Sequence, residues 1–202
     1  MEEHPPQQEE AWAKVHRRKG RRPAKDDTIH ATPSSVLTPG APSLTLDQVR
    51  QDHDRLAGQW KSSGSYSRLR ELLSAHTTGA GSSVTKAICF GLGSFNPPNG
   101  EWDWKRRTHI QLAAFLAIVE HLQSKTGQNI RCVFQEPVFN SVDKAFITSL
   151  GHEVVESPVG FQLVDPDTLA FAVHLYRNVH SQVIATHIPA IFVGTSYAVW
   201  EE

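Results

Sequence analysis

The sequence predicts an α/β fold with a mostly parallel sheet, preceded by two helices and a disordered N-terminal tail. Three observations lead to this prediction. From residue 86 onward, short apolar runs of strand length alternate with helical segments, and two of these runs end in glycine. The first 43 residues, by contrast, hold few large apolar side chains. Because repeated strand–helix–strand units have right-handed crossovers, we expect helices on both faces of the sheet, in a three-layer, Rossmann-like sandwich.

Composition divides the 202-residue chain into a tail and one domain. Residues 1–43 are rich in proline, glutamine, serine, threonine and charge, so they bury too little surface to offset the entropy of ordering. We expect a domain over 44–202, with a helical lead at 44–80 and an α/β core at 86–202. The tail carries seven cations and no acid within residues 14–25. Such a run is typical of a nuclear-import signal or a weak nucleic-acid contact, and a solvated charged tail is the alternative.

Charge, cysteine content and hydropathy narrow the class of protein. The formal net charge of −1 argues against a general nucleic-acid binder. Cys89 and Cys132 each lie in an apolar run and provide neither a disulfide framework nor a four-ligand zinc site, so we expect two buried, reduced thiols. The first residues lack the apolar core of a signal peptide, and the longest apolar stretch is too short to span a membrane. We therefore expect a cytoplasmic or nuclear protein with no metal site.

Two amphipathic helices are expected in the lead. The first has apolar or aromatic residues at spacings of three and four, with Thr45 placed to cap its amino end. These residues are Leu46, Val49, His53, Leu56 and Trp60. The second repeats the pattern through Tyr66, Leu69, Leu72 and Leu73, and Gly64 separates the two helices. A stretch rich in threonine, glycine and serine at 77–83 leads into the core.

The core elements then alternate. Residues 87–93 form an apolar run that ends in glycine, which is typical of a strand buried on both faces. A helix over 105–125 ends before Gly127, and a later helix begins at Asn140 or Ser141 and ends before Gly151. The remaining elements are strands at 130–135, 152–155, 169–173 and 190–194, and a helix at 178–187.

In a doubly wound sheet, ligands bind beyond the carboxyl ends of the strands. Gly91, Gly93 and Ser94 directly follow the first strand, and the missing Cβ atoms of the two glycines let the backbone approach a phosphate or a ribose. The third glycine of a dinucleotide-binding fingerprint would fall at Asn96, so a tight turn that only needs glycine is the alternative.

Glu136, His174 and Thr195 follow later strands and complete the candidate crevice. An acid in the position of Glu136 holds ribose hydroxyls in nucleotide-binding folds, although it lies 43 residues after Gly93 rather than about 20. His174 suits a base or a ligand near neutral pH. For both residues a structural role is the alternative, and Thr195 is a candidate by its position alone.

Lys105, Arg106 and Arg107 form a candidate anion site. Three cations in the first turn of the expected helix oppose its macrodipole, and a phosphate or an acidic partner would relieve that conflict. Trp102 and Trp104 are placed to stack on a base. The alternative is that the cations point into water while the indoles pack beneath the loop.

The motifs at the strand ends also carry a family resemblance. They are Ile88–Phe95, Gln111–Ala113, Glu136–Phe139 with Asp143, Leu150-Gly151, Glu153–Val155, His174, Pro189–Thr195 and Trp200–Glu202. Together with Trp12 and the basic run that follows it, they resemble the Sensitivity to Red Light Reduced family, in a fungal-type form with Glu136 where members commonly have aspartate. The resemblance implies regulation, linked in plants to light signalling and the clock, and no firmly assigned reaction.

We therefore expect a regulatory protein, and we favour a non-catalytic role with a small-ligand crevice at the strand ends. The sequence identifies no cofactor. It also lacks a nucleophile elbow, a P-loop lysine and paired carboxylates. One alternative is a Rossmann-like, S-adenosylmethionine-dependent methyltransferase or other nucleotide-cofactor enzyme that uses the loop at 91–94 and Glu136. The other is an adaptor that binds protein partners through the basic tail and the loop of Trp102 and Trp104.

Overall fold

The computed structural model describes residues 44–77, 83–97 and 101–196. The predicted disorder of residues 1–43 and the role of their basic run lie outside these residues.

Within the described residues, five strands form one parallel sheet. They are β1 (Lys86–Phe90), β2 (Arg131–Gln135), β3 (Glu153–Val155), β4 (Thr168–Ala172) and β5 (Ile191–Gly194). The order across the sheet is β3-β2-β1-β4-β5, and every neighbouring pair is parallel. The chain winds outward from β1 in one direction and then returns to β4, so the point between β1 and β4 is the topological switch point. The predicted α/β fold is thus confirmed.

Helices cover both faces of this sheet. They are α1 (Leu46–Lys61), α2 (Gly64–His76), α3 (Trp102–Thr126), α4 (Ser141–Ser149), α5 (Val159–Gln162) and α6 (Arg177–Val183). On one face, α1 packs on both α3 and α4, and α2 packs on α3. On the other face lie the short helices α5 and α6, and the amide of Gly160 in α5 donates a 2.6 Å hydrogen bond to the buried side chain of Gln135. The two predicted lead helices are therefore part of the helical layer.

The central strand shows why the sheet needs two covering layers. Cys89 belongs to the larger core cluster, together with Phe115 of α3 and Phe146 of α4. Its neighbours in β1, Ile88 and Phe90, belong to the smaller cluster on the α5 and α6 face. Because successive side chains of a strand point to opposite faces, a strand that is apolar throughout requires apolar partners on both sides.

Local capping residues set the predicted helix ends. Thr45 and Gln48 form a capping box at the start of α1, and Asn140 and Asp143 form another at the start of α4. Gly127 follows α3 in a left-handed conformation with φ 68°. These predicted boundaries are confirmed.

Three predicted boundaries are corrected. Strand β1 ends at Phe90 rather than at Gly93, because Gly91 and Gly93 adopt positive φ angles of 64° and 85° that break extended pairing. Helix α3 begins at Trp102, so the cations at 105–107 fall beyond its first turn, which holds Asp103 instead. The conflict with the helix dipole is correspondingly smaller, since the effect falls off within that turn.

On the outer layer, α6 ends at Val183 rather than at residue 187. Val183 is buried, whereas the following Ile184 and Ile188 are exposed and give a longer helix no apolar face to pack. The single-turn helix α5 was not predicted, because four residues show no helical periodicity. Phe192 of the edge strand β5 is partly exposed. No helix in the described ranges is both long and apolar enough to cross a membrane.

Candidate functional site

The carboxyl ends of β1 and β2 are joined through Glu136. The amide of Gly93 donates a 2.8 Å hydrogen bond to Oε2 of Glu136, and the amide of Val138 donates one of 3.0 Å to Oε1. The left-handed backbone of Gly93 carries this contact, and a Cβ atom there would lie 3.0 Å from Oγ1 of Thr108. Glu136 therefore holds the loop after β1 through Oε2, while Oε1 fixes its own loop after β2.

A buried carboxylate fixes the next turn of the same loop. Asp143 of α4 is fully buried and accepts hydrogen bonds of 2.7 Å from the hydroxyl of Ser94 and 3.0 Å from the amide of Phe95. The amide of Asn140 donates to it as well, at 3.0 Å. Burial raises the pKa of Asp143, and the hydrogen bonds from Ser94, Asn140 and Phe95 oppose that shift. The hydroxyl of Ser94 therefore belongs to an internal hydrogen-bond network.

At the switch point, Leu175 lies directly on Gly91. A Cβ atom added to Gly91 would be 2.1 Å from Cδ2 of Leu175, far inside van der Waals contact. Leu175 is partly buried against the smaller core cluster. The contact joins the segments that follow β1 and β4, and it places an apolar side chain at the switch point.

His174, next to Leu175, is exposed and has a left-handed backbone with φ 58°, while its amide donates a 2.9 Å hydrogen bond to Oγ1 of Thr195. A positive φ in a residue other than glycine costs about 1–3 kcal/mol, and residues strained in this way cluster at functional sites. The conformation sets this side chain at the end of β4, beside the switch point.

The predicted crevice residues thus fall into two bonded groups. Gly93 is bonded to Glu136 at the ends of β1 and β2, with Ser94 held to α4, and His174 is bonded to Thr195 at the ends of β4 and β5. The contact between Gly91 and Leu175 connects the two groups.

The three cations of the predicted anion site do not act as one group in the structure. The ammonium of Lys105 pairs with Asp52 of α1 and lies 5.8 Å from the ring centre of Trp102, which Arg55 also contacts at 5.3 Å. Trp102 and Trp104 are 48% and 63% exposed, so the indoles do not pack beneath the loop. Lys105 is therefore held by an internal partner.

Two buried histidines lie side by side, a contact that the sequence did not predict. His53 of α1 and His109 of α3 have ring centres 5.6 Å apart, with Phe95 and Phe146 around them. Burial, and then the charge of His53, lower the pKa of His109 to about 3. Neither ring nitrogen of His109 has a hydrogen-bond partner among the described residues. The position of His53 on the apolar face of α1 was the only sequence signal for this pair.

Asp143 was likewise not predicted as a site residue, although the capping-box spacing from Asn140 to Asp143 marks it. Cys89 and Cys132 are free and buried, as predicted, and burial raises the pKa of Cys132 to about 11. In the part of the chain that the structure describes, histidine, cysteine and carboxylate side chains form no group of three suited to a metal ion.

These features define an α/β protein with a parallel, doubly wound sheet and a tightly bonded carboxyl edge. The family model of the SRR1 domain matches residues 67–202, and the chain belongs to this family, as the resemblance predicted. Searches of curated proteins and of solved structures find no match. The family match begins within α2, so α1 precedes it, even though Val49 of α1 lies in the main core.

Proposed function

We propose that this SRR1-domain protein is a regulatory protein that binds a nucleotide-like small ligand at the carboxyl ends of β1 and β4, without catalysing a reaction. The observation that carries the proposal is the left-handed, exposed His174 beside the Leu175–Gly91 contact at the switch point. Ligands of doubly wound sheets bind at this point, and backbone strain is concentrated where a side chain must be aimed at a ligand.

The hydrogen bonds around the loop after β1 support a binding role. Glu136 and Asp143 hold the amides of Gly93 and Phe95, so the loop is already fixed before any ligand arrives. Preorganisation of this kind lowers the entropy cost of binding. The half-buried side chain of Leu175 and the exposed imidazole of His174 lie beside this loop, and an apolar and a polar contact together suit a base or a similar ring.

The same bonds argue against an enzyme. Both carboxylate oxygens of Glu136 accept hydrogen bonds from backbone amides. The hydroxyl of Ser94 donates a hydrogen bond to Asp143 and accepts one from the amide of Asn96. A general base or nucleophile must instead be able to reach the proton or bond that reacts. His174 alone does not provide an acid–base pair. For the location we propose the cytoplasm or the nucleus, on the basis of the basic run at 14–25.

The proposal is tested with the full-length protein. Thermal-shift screening against nucleotides, S-adenosylmethionine and haem should identify a ligand, whose dissociation constant is then measured by calorimetry. His174→Ala should weaken binding by about tenfold, the effect of losing one good polar contact. His187→Ala, which changes an exposed histidine between α6 and β5, is the matched control and should bind as the wild type does.

If no compound raises the melting temperature, or if His174→Ala binds as tightly as His187→Ala, the strand-end site is wrong. Transfer of a methyl group from S-adenosylmethionine to any acceptor, lost in Gly93→Val, would establish the methyltransferase alternative instead.

A further inference from the structure

A second pocket lies away from the strand ends, where α1, α2 and α3 meet. Its volume is about 410 Å³, within the usual range for small-molecule sites. Its walls include Leu56 and Trp60 near the end of α1, Ser65 in the first turn of α2, and Arg106 and Ile110 of α3. The pocket thus combines an apolar wall with one cation and a hydroxyl group.

Arg106 provides the charge of this pocket. Its neighbour Lys105 is already paired with Asp52, whereas no carboxylate among the described residues lies within ion-pair distance of Arg106. A guanidinium group offers five donors in a planar fork that matches the oxygens of a phosphate. Of the three cations predicted to bind an anion, Arg106 is the one that lines a pocket and has no acidic partner in the described structure.

Of the two described serines that line the pocket, one has its hydroxyl group engaged in a hydrogen bond and the other does not. The hydroxyl of Ser63 donates a 2.7 Å hydrogen bond to the carbonyl of Trp60 and is therefore engaged. The side chain of Ser65 is exposed and makes no hydrogen bond within the described ranges. Ser65 can therefore donate to an anion that Arg106 holds.

The indole of Trp60 forms the aromatic wall. It is held by Tyr66 of α2, whose ring centre lies 5.1 Å away in an edge-on arrangement. Leu56 is buried behind the pocket and Ile110 borders it. Stacking of a base on an aromatic side chain contributes about 1–3 kcal/mol and does not depend on which base is present.

Positive charge extends beyond this pocket. Lys61 and Arg70 line a neighbouring pocket on which Tyr66 also lies, and the acid in that lining, Glu71, is paired with Arg68. Neither cation has an ion-pair partner among the described residues. The surroundings therefore favour a ligand with a net negative charge.

We propose that this pocket binds a nucleoside 5′-monophosphate, with the phosphate on Arg106 and Ser65 and the base against Trp60. An inorganic anion would leave the aromatic wall unused, and an uncharged nucleoside would leave the cation unpaired. The site goes beyond the strand-end ligand proposed above. Five of its seven described lining residues precede residue 67, where the family match begins, so the pocket is built largely by a segment outside that match.

The test is calorimetric titration of the full-length protein with adenosine 5′-monophosphate, with adenosine and inorganic phosphate as separate probes. The wild type should bind the monophosphate at least about tenfold more tightly than either part, because the charge-assisted contacts and the stacking act together. Arg106→Gln should weaken binding by about tenfold or more, the usual loss when a charged hydrogen-bond donor is removed. Arg107→Gln changes the adjacent exposed arginine, which does not line the pocket, and should alter binding by no more than about twofold.

The proposal would be overturned by no binding of the monophosphate, by equal weakening in Arg106→Gln and Arg107→Gln, or by phosphate alone binding as tightly as the nucleotide. His174→Ala separates this site from the strand-end site. Binding that is lost in His174→Ala and kept in Arg106→Gln would place the nucleotide at the strand ends and remove it from this pocket.

Discussion

Asp143 on α4 accepts a 2.7 Å hydrogen bond from the hydroxyl of Ser94, which follows β1 and lies 49 residues earlier in the chain. The carboxylate is fully buried. It also accepts a hydrogen bond from the amide of Phe95, so a single side chain connects the loop after the central strand to a helix of the covering layer.

Replacement of Asp143 should therefore destabilise the fold strongly. Asp143→Ala leaves the buried Ser94 hydroxyl and Phe95 amide, and the partly buried Asn140 amide, without this acceptor, and we expect the free energy of unfolding to fall by about 3 kcal/mol. Ser94→Ala removes one donor to Asp143 and the acceptor of the Asn96 amide, and should cost about 1–2 kcal/mol. Asp167→Asn, at an exposed turn, is the control and should stay within about 0.5 kcal/mol. Urea denaturation measures all three, and a loss below about 1 kcal/mol for Asp143→Ala would contradict a structural role.

Gly91→Ala should test the contact with Leu175. Gly91 and Gly127 have similar φ angles of 64° and 68°, yet an added Cβ atom meets Leu175 at 2.1 Å in the first case and nothing within 4 Å in the second. Gly127→Ala should therefore cost only the left-handed conformation, about 1–2 kcal/mol. Gly91→Ala adds a steric clash and should cost at least about 1 kcal/mol more, by analogy with overpacked cores.

Denaturation curves of the two alanine variants give this difference directly. In a Leu175→Ala background, Gly91→Ala should cost less than it does alone, because the clashing atoms are gone. Equal costs in the two backgrounds would show that Leu175 is not the obstacle.

The stability of the protein should fall as the pH is lowered, partly through His109. The ordinary pKa of histidine is 6.5, and burial together with the charge of His53 lowers the pKa of His109 to about 3 in the folded state. Between these values the unfolded chain binds more protons, so the free energy of unfolding decreases as the pH falls from 6.5 towards 3. Between pH 6.5 and about pH 4, His109 should account for a loss of about 3 kcal/mol.

Comparison of variants separates the contribution of His109 to the pH dependence of stability from the contributions of other titratable residues. His109→Gln should show a shallower loss of stability over the same pH range, whatever its stability at neutral pH. His187→Gln, at an exposed histidine, should keep the slope of the wild type. Parallel curves for His109→Gln and the wild type would mean that His109 takes up a proton in the folded protein.

The ion pair between Asp52 and Lys105 should contribute more than the pair between Arg68 and Glu71. The side chains of Asp52 and Lys105 are 22% and 14% exposed, whereas those of Arg68 and Glu71 are 68% and 64% exposed. Burial raises the pKa of Asp52, but Lys105 and Arg55 lower it by more, so the net shift is downward.

Above the ordinary pKa of the carboxyl group this shift stabilises the fold, and the contribution is lost as the pH falls through the lowered value. Asp52→Asn should therefore cost about 1–2 kcal/mol at neutral pH, whereas Glu71→Gln should stay within about 0.5 kcal/mol. Thermal unfolding at neutral pH compares the two variants, and equal effects would contradict the difference in burial.

The elements that depend on nearby residues could be predicted from the sequence. Thr45, Asn140 and Gly127 act within one helical turn of their own position, and each sets the helix end expected of it. The short helix α5 could not be predicted in this way. It is held by a bond from Gly160 to Gln135, a residue of a distant strand, and not by a periodic pattern of its own.

The candidate site shows the same limit. Gly93 and Glu136 follow adjacent parallel strands, so the fold class alone places them at one edge of the sheet, where the structure brings them into contact. Their role in ligand binding stays a prediction. The partners of Ser94 and Lys105 depend on how α4 and α1 pack against the sheet layer, and neither Asp143 nor Asp52 has a sequence pattern that points to those partners.

The position of α1 outside the family match has a practical consequence for where the folding unit begins. Val49 and Leu56 are buried, and His53 covers His109 and Phe146. A fragment cut at residue 67 would keep every residue that the family match covers and would still expose this apolar surface to water. The packed core of this protein therefore extends at least one helix beyond the family boundary.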